Sequence, residues 1–575
     1  MVSLTISKES KAIKLAKKNE MMLAVILGAL ASFSFAPYNI FLLFSLSISG
    51  LFLILERNRK DTALDNVLSH SKITFLYGFG FFLGNIYWIS VPLFNNLFQF
   101  GWLVPLSLTV APSLYSIFFL IFGALYGLLK SIANKKYSKN YSNPQLKLIL
   151  VIFFIFSAIF SEFLRSNIAQ GFPWTLFGYI ALPSIEISQI ASLGGIYLLS
   201  LLVLIFSILP IMIIKAKNSK TKITLSLDNS LISKIFLGFV VVIFFTSYYF
   251  GKKNIEKFEK RLSLNKENSS NFVKLRLIQG NSNNKNNSNN DTENFTRHIE
   301  YSQNSQDFDA VIWPETAMPY LFLKNDKNFN NFFLPRLQSI IPREGVLIFG
   351  AVTGEVNKNK DLTKIWNSVV QLDKNLEIKI YDKKHLVPFG EFVPFKSYLP
   401  FVNKITRGSI DFSSGKSENI IKNSNFTFRP AICYESIFFY DILRSKKEYS
   451  MTDLIVILTN DSWFGNTSAP YQHLSMARLR AIEHNKPIAR VANSGITAHI
   501  DSVGRIVEKT NLNTLAILDV KILKTPDITV YQRYQNIVLP IILTALLMIA
   551  LVLLYFDLLT SASSRIRKFF GINKL

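Results

Sequence analysis

The stretch FTFRPAIC (426–433), running on into YESIF, decides how this chain is read. Its eight residues have the pattern of a buried strand, and Cys433 closes it. A helical pattern follows from Tyr434 and predicts a helix over 434–447. A thiol at a helix N-terminus feels the positive end of the helix dipole and is presented from an exposed turn. Cys433 is also the single cysteine of 575 residues, so a disulfide scaffold is excluded.

Working outward, strand-like and helix-like segments alternate through 270–525. Strands are predicted at FVKLRLIQG (272–280), DAVIWPE (309–315), GVLIFGAV (345–352), NSVVQL (367–372) and IKIYDK (378–383). Beyond the cysteine strand they continue at DLIVILTN (453–460), PIARVAN (487–493), TAHID (497–501) and LAILDVKI (515–522). Helices are predicted over 327–340 and 470–485 as well. Strands mixed with helices predict a layered α/β domain. An Asn-rich run over 281–296, NSNNKNNSNNDTENFT, is read as a flexible loop.

Two more strands end on residues that carry chemistry. Glu315 closes DAVIWPE and Lys383 closes IKIYDK. A carboxylate, an ammonium and a thiol at strand ends would support nucleophilic acyl transfer if they met above one sheet edge. The carboxylate takes the thiol proton, the thiolate attacks a carbonyl and the ammonium stabilises the oxyanion. Each residue alone also has a plainer reading. Cys433 fits a small buried side chain, Glu315 a turn residue and Lys383 a surface charge.

The rest of the chain has a different character. Hydrophobic residues make up 49% of the whole, 50 residues are Phe, and the mean hydropathy is +0.27. That content excludes a disordered chain. It is concentrated in 1–250 and 537–557, and a bilayer-spanning helix needs roughly 20 mostly apolar residues. Eight candidates follow, at 21–36, 39–55, 73–95, 102–129, 148–165, 191–214, 232–250 and 537–557. The first two are short and share a turn at Pro37, which also fits a re-entrant pair. The first is read as a retained helix, because further spans follow it. Residues 171–190, broken by Pro173 and Pro183, are read as an interfacial loop. The predicted division is a membrane domain over 1–250, a catalytic domain over 251–535, and an eighth span with a tail over 536–575.

Basic residues set the orientation. The N-terminal tail, the connections after the second, fourth and sixth spans, and the C-terminal tail are rich in Lys and Arg. The alternate connections carry almost none. Both ends are therefore expected in the cytoplasm and 251–535 on the opposite side. The formal net charge of +25 is accounted for by these flanks meeting anionic lipid, and no nucleic-acid module is visible. Glu162 and Arg165, near the fifth span, are read as a local pair or a headgroup contact. They are too few for the intramembrane relay of a transporter.

The segments WPETAMPY (313–320), YDKKHLVPFGEFVPF (381–395), AICYESIF (431–438), TNDSWFG (459–465) and YQHLSMARLRAIEHNKPIARVANSGITAHID (471–501) closely resemble the bacterial apolipoprotein N-acyltransferase family, whose catalytic domain is of the nitrilase superfamily. SEFLRSNIAQGFPWTLFGY (161–179) resembles that family's loop after the fifth span. The resemblance implies a nitrilase-like αββα sandwich inserted in an eight-helix polytopic membrane domain. It implies Glu315 as general base, Lys383 as the oxyanion-stabilising lysine, with Lys384 as the adjacent alternative, and Cys433 as nucleophile. Glu391, Tyr434 and Glu435 match residues that support the site.

The reaction so implied passes an acyl chain from the sn-1 position of a phospholipid, typically phosphatidylethanolamine, to the cysteine as a thioester. The α-amino group of a diacylglyceryl-modified N-terminal cysteine of an apolipoprotein then takes it. The implied setting is the bacterial inner membrane, with the catalytic domain periplasmic, and no metal or cofactor is called for. A membrane-tethered amidase or hydrolase with the same triad is the alternative enzyme. A non-catalytic scaffold would predict a degenerate triad. One departure stands out: QGN (279–281) leads into the Asn-rich tract, with no Trp before Trp313, so a tryptophan of the family has no counterpart.

Overall fold

The computed structural model describes residues 18–58, 61–137, 143–218, 223–280, 288–324, 331, 333–398, 404, 406, 408 and 410–569. Among these, six helices are long and apolar enough to cross a membrane: Ala63–Phe94, Leu103–Lys136, Pro144–Gln170, Ala191–Ile213, Leu231–Leu264 and Val530–Tyr555. The first two expected spans form a shorter pair, a helix over 18–32 and Phe41–Arg57. At about 1.5 Å per residue the second reaches about 26 Å, less than the roughly 30 Å of a hydrocarbon core. The seventh helix runs past its expected end at 250 to Leu264. Phe258 on this extension packs against Phe272, Val503 and Leu523 of the strand-rich domain. The Lys-rich connection after the sixth span contains paired strands, Ile214–Asn218 and Ile223–Leu227.

The loop over 171–190 has most of its side chains buried. Phe172, Trp174, Leu176 and Phe177 are buried among the membrane helices. Arg165 donates to the carbonyls of Phe172 and Trp174, and Glu162 Oε1 accepts from the Phe177 amide at 2.6 Å. The two charged side chains, a local pair as expected, thus also hold the loop.

The strand-rich domain is two sheets packed face to face. One runs in the order Ala516–Leu523, Phe272–Gln279, Ala310–Ile312, Val346–Val356, Leu362–Asp373, Ile378–Asp382, with Met318–Leu323 beside Val346–Val356. The other runs Ile506–Lys509, Ala498–Ile500, Ile488–Ala492, Leu454–Thr459, Thr427–Ile432, Ile421–Lys422. Alternation along each strand sends side chains to opposite faces. Leu275, Ile312, Ile348, Phe428, Val456 and Val491 meet between the sheets. Val311, Leu347 and Phe349 face the outer helices on one side. Ile455, Ile457 and Ile488 do so on the other, with Leu474 and Ala477 of the helix Ala469–His484. This is the αββα sandwich. Both faces of each central strand are covered, which is why DLIVILTN reads as a nearly continuous apolar run.

Two local expectations are corrected. The helix over 434–447 is absent: one 3-10 turn, Cys433–Ile437, ends at Phe438. Ile437, Phe438 and Phe439 pack into the membrane-helix core while Ile442 and Leu443 pack under the second sheet. No single helical face serves both directions. The Asn-rich run is not wholly a loop. Residues 281–287 lie outside the described part, but Ser288–Tyr301 is helical, with Phe295 and Ile299 against the first sheet. Of the helix expected over 327–340, the described residues contain Leu334–Gln338.

Candidate active site

Strand ends from both sheets converge at one place. Glu315 follows Ala310–Ile312 and Lys383 follows Ile378–Asp382 in the first sheet. Cys433 follows Thr427–Ile432 in the second. All three are buried, Cys433 at 8% exposure. Lys383 Nζ lies 3.7 Å from Glu315 Oε1 and 2.9 Å from Glu391 Oε1. The Asn367 amide donates to both carboxylates, at 2.7 Å and 2.9 Å. The Asn460 backbone N–H donates to Glu315 Oε2 at 2.7 Å, and Val387 N–H to Glu391 Oε2 at 2.8 Å. Lys384 turns elsewhere, its ammonium on Asn419. Of the two adjacent lysines, Lys383 is the one that faces Glu315.

Glu435 has a different task. Its Oε1 accepts from Tyr381 Oη at 2.9 Å and from the Lys384 amide at 2.7 Å, and its Oε2 from the Ile432 amide at 2.8 Å. It ties the strand ends bearing Lys383 and Cys433 together across the sandwich. Tyr434 reaches the other way, its hydroxyl donating to the Gly171 carbonyl at 3.3 Å. That loop also anchors through Trp174, whose Nε1–H donates to Gln472 Oε1 at 2.7 Å. Trp88 packs 4.7 Å from Trp174 and 4.8 Å from Phe464, ring centre to ring centre. Cys433 therefore sits between the sheet ends and one end of the membrane-helix bundle.

The electrostatics follow from burial. Removal from water pushes the Cys433 thiol up, and the Glu315 carboxylate pushes it further, against the pull of Lys383 and a hydrogen bond with Thr459. Burial likewise raises Glu315, opposed by Lys383. Burial alone would lower Lys383, but Glu391 and Glu315 outweigh it and hold the ammonium protonated. Burial thus favours the neutral thiol at Cys433, while the two carboxylates hold Lys383 as a fixed cation beside it. The helix-dipole contribution expected at Cys433 falls away, because only one short turn follows it.

Cys433 has φ +47°, Thr316 next to Glu315 +51°, and Phe389 near Glu391 +61°. Left-handed backbone at non-glycine residues costs on the order of 1–3 kcal/mol and collects at functional sites. The residues brought together are thus Glu315, Lys383, Glu391, Glu435 and Cys433, with Tyr434 facing the membrane side. Sequence reading assigned no task to Asn367 or Asn460. Asn460 carried the same signal as the others, a polar residue closing a buried strand (DLIVILTN).

Residues 27–209 match the family described as apolipoprotein N-acyltransferase N-terminal domain, and residues 274–524 match carbon-nitrogen hydrolase. The chain is 32% identical over 523 residues to the apolipoprotein N-acyltransferase of Rickettsia prowazekii, covering 90% of this chain and 94% of that one. It is 28% identical over 550 residues to that of Rhodopseudomonas palustris, covering 92% and 94%. Among solved structures, a CN-hydrolase superfamily protein from Xanthomonas campestris superposes with TM-score 0.31 at 16% identity, over 44% of this chain and 90% of its own. On matches to these relatives over about nine-tenths of its length, with 27–209 and 274–524 each matching their own family, the chain belongs to the apolipoprotein N-acyltransferase family.

Proposed function

We propose that the protein completes lipoprotein maturation by moving an acyl chain from the sn-1 position of a phospholipid, typically phosphatidylethanolamine, onto the α-amino group of a diacylglyceryl-modified N-terminal cysteine. The observation that carries this reading is the burial of one thiol with Glu315 and Lys383 directly over a bundle of apolar helices. Glu315 removes the Cys433 proton, and the thiolate attacks the ester carbonyl. Lys383 stabilises the oxyanion. The C–O bond breaks, the lysophospholipid leaves with the proton from Glu315, and a thioester remains. The acceptor amine then attacks the thioester, giving its proton to Glu315. The C–S bond breaks, and the thiolate recovers that proton. Glu391 holds Lys383 and Asn367, Glu435 joins the strand ends, and Tyr434 borders the acyl path.

Both substrates are lipid-anchored, so the donor and acceptor reach the thiol from the bilayer. Burial of the site favours the amine over water as acceptor. In this reading 251–535 is the periplasmic catalytic domain of a bacterial inner-membrane protein, with 1–250 and 536–575 as its membrane parts.

The test is intact mass of the purified protein after exposure to phosphatidylethanolamine, with and without a diacylated lipopeptide. One acyl chain is expected on wild type, lost to the lipopeptide amine, and absent from Cys433→Ala. An adduct persisting in Cys433→Ala would move the nucleophile elsewhere. Free fatty acid released without lipopeptide would make the protein a hydrolase.

A further inference from the structure

Behind Cys433 lies a ring of buried polar side chains that the proposed chemistry does not consume. The Cys433 carbonyl accepts from Ser436 Oγ at 2.8 Å and lies 3.2 Å from His473 Nε2. Ser436 Oγ and His473 Nε2 are themselves 2.7 Å apart. On its other edge, His473 Nδ1 is 3.2 Å from Asp461 Oδ1 and 3.1 Å from an Arg490 guanidinium nitrogen. Arg490 donates to Asp461 Oδ2 at 2.7 Å. Asp461 Oδ1 accepts from Thr459 Oγ1 at 2.9 Å, and Thr459 follows Leu458, the parallel-strand partner of Ile432 just before Cys433. The chain of contacts thus leaves Cys433 by its carbonyl and ends on the neighbouring strand end.

We propose that His473, held by Arg490, which Asp461 in turn fixes, is a positioning residue for acyl-enzyme formation that fixes the strained Cys433 turn through Ser436. This rests on the reading of Cys433 as the nucleophile. Ser436 and His473 converge on the Cys433 backbone carbonyl, and the orientation of that residue sets the line of attack. Cys433 at φ +47° needs such over-determination to persist. Burial and the neighbouring Arg490 keep the His473 ring from protonating, against Asp461. In a neutral ring one nitrogen donates and the other accepts. A proton on Nε2 gives every donor an acceptor. Nε2–H then donates to Ser436, Ser436 donates to the Cys433 carbonyl, and Arg490 donates to Nδ1. A glutamine can repeat that pattern, its amide N–H towards Ser436 and its oxygen towards Arg490. An alanine cannot.

The experiment measures acyl-enzyme formation by the full-length protein in detergent–phosphatidylethanolamine micelles, with melting recorded for each variant. His473→Ala is expected to lower the acylation rate constant roughly 100-fold, the scale of a misplaced reacting group. The lipid concentration for half-maximal rate should stay unchanged, as for an interaction that orients rather than binds. His473→Gln is expected to recover most of the rate. A folded His473→Ala acylating at the wild-type rate overturns the proposal. So does a shift confined to the half-maximal lipid concentration. If the alanine variant does not fold, His473→Gln decides: recovery supports positioning, and loss with a normal melting curve overturns it. Cys433→Ala separates the two readings. An adduct that persists there removes the nucleophile and the relay together, whereas an adduct lost there alongside a fast His473→Ala removes the relay alone.

Discussion

The Lys383 ammonium lies 2.9 Å from the Glu391 carboxylate, nearer than to Glu315 at 3.7 Å. One buried cation therefore serves two carboxylates, and Glu391 takes the tighter contact. In the proposed mechanism this lets Glu315 receive a proton while Lys383 stays charged and in place. In Glu391→Gln, the ammonium has only Glu315 to pair with and should close on it. Acyl-enzyme formation is expected to fall by about 2.7–4 kcal/mol of transition-state stabilisation, the scale of a lost oxyanion donor. Glu391→Ala should also melt early, because breaking a buried ion pair costs about 3–5 kcal/mol. Burst-phase mass spectrometry and thermal melting in detergent measure the two effects. Wild-type acylation in Glu391→Gln would strip Glu391 of its supporting role.

Gly350 leaves no room for a side chain. A Cβ there would stand 2.6 Å from Glu315 Cα, 2.5 Å from the Thr316 amide nitrogen and 2.6 Å from the Pro314 carbonyl. All three are backbone atoms, so the strand bearing Glu315 must move. Gly350→Ala is expected to lose most acylation activity, since displacement of about 1 Å costs on the order of 100-fold. Lipid binding should remain. Full activity in this variant would mean that Glu315 tolerates displacement and is not the base.

The sandwich was legible because its central strands are covered on both faces and so stand out as short apolar runs. The three strands missed are short or irregular: Met318–Leu323 contains Pro319, Ile421–Lys422 is two residues long, and Ile506–Lys509 is largely exposed. The meeting of Glu315, Lys383 and Cys433 was legible because each lies at or just past a strand-like run, that of Lys383 being a half-buried edge strand. The turn after Cys433 was not. YESIFFYDIL has helical composition, and only the presence of the membrane helices on one side and the second sheet on the other splits its apolar residues. The task of Glu435 was equally hidden, because Tyr381 and the Lys384 amide come to it from a strand about fifty residues away in sequence. Tertiary partners of this kind have no local signature.

His499 is buried with its pKa lowered by burial from 6.5 to about 4. It lines a cavity with Phe258, Arg505 and Lys521. The unfolded chain takes up this proton near pH 6.5, and the folded protein only near 4. The folded state therefore loses stability as pH falls from 6.5 to 4, and the full cost is present below 4. A shift of this size corresponds to at most about 3–4 kcal/mol. His499→Leu should melt increasingly above wild type as pH is lowered through that window. A melting difference that stays constant with pH would show that His499 keeps the same pKa in both states.

Trp174 joins the loop of the membrane domain to the catalytic domain through its bond to Gln472, 2.7 Å long and fully buried. Trp174→Phe keeps an aromatic ring but leaves the Gln472 oxygen without its donor. An orphaned buried acceptor costs about 1–3 kcal/mol, which for a domain of this size lowers the melting temperature by roughly 2–4 °C per kcal/mol. The same loop carries the Gly171 carbonyl that receives the Tyr434 hydroxyl, one residue from the thiol. Loosening it should therefore slow acyl-enzyme formation as well as lower the melting temperature. Trp174→Ala should do more of both, since truncating a buried Trp costs about 3–5 kcal/mol. Melting curves and acylation rates of the two variants check this. If Trp174→Phe melts early but acylates at the wild-type rate, the loop holds the domains together without setting the position of Tyr434.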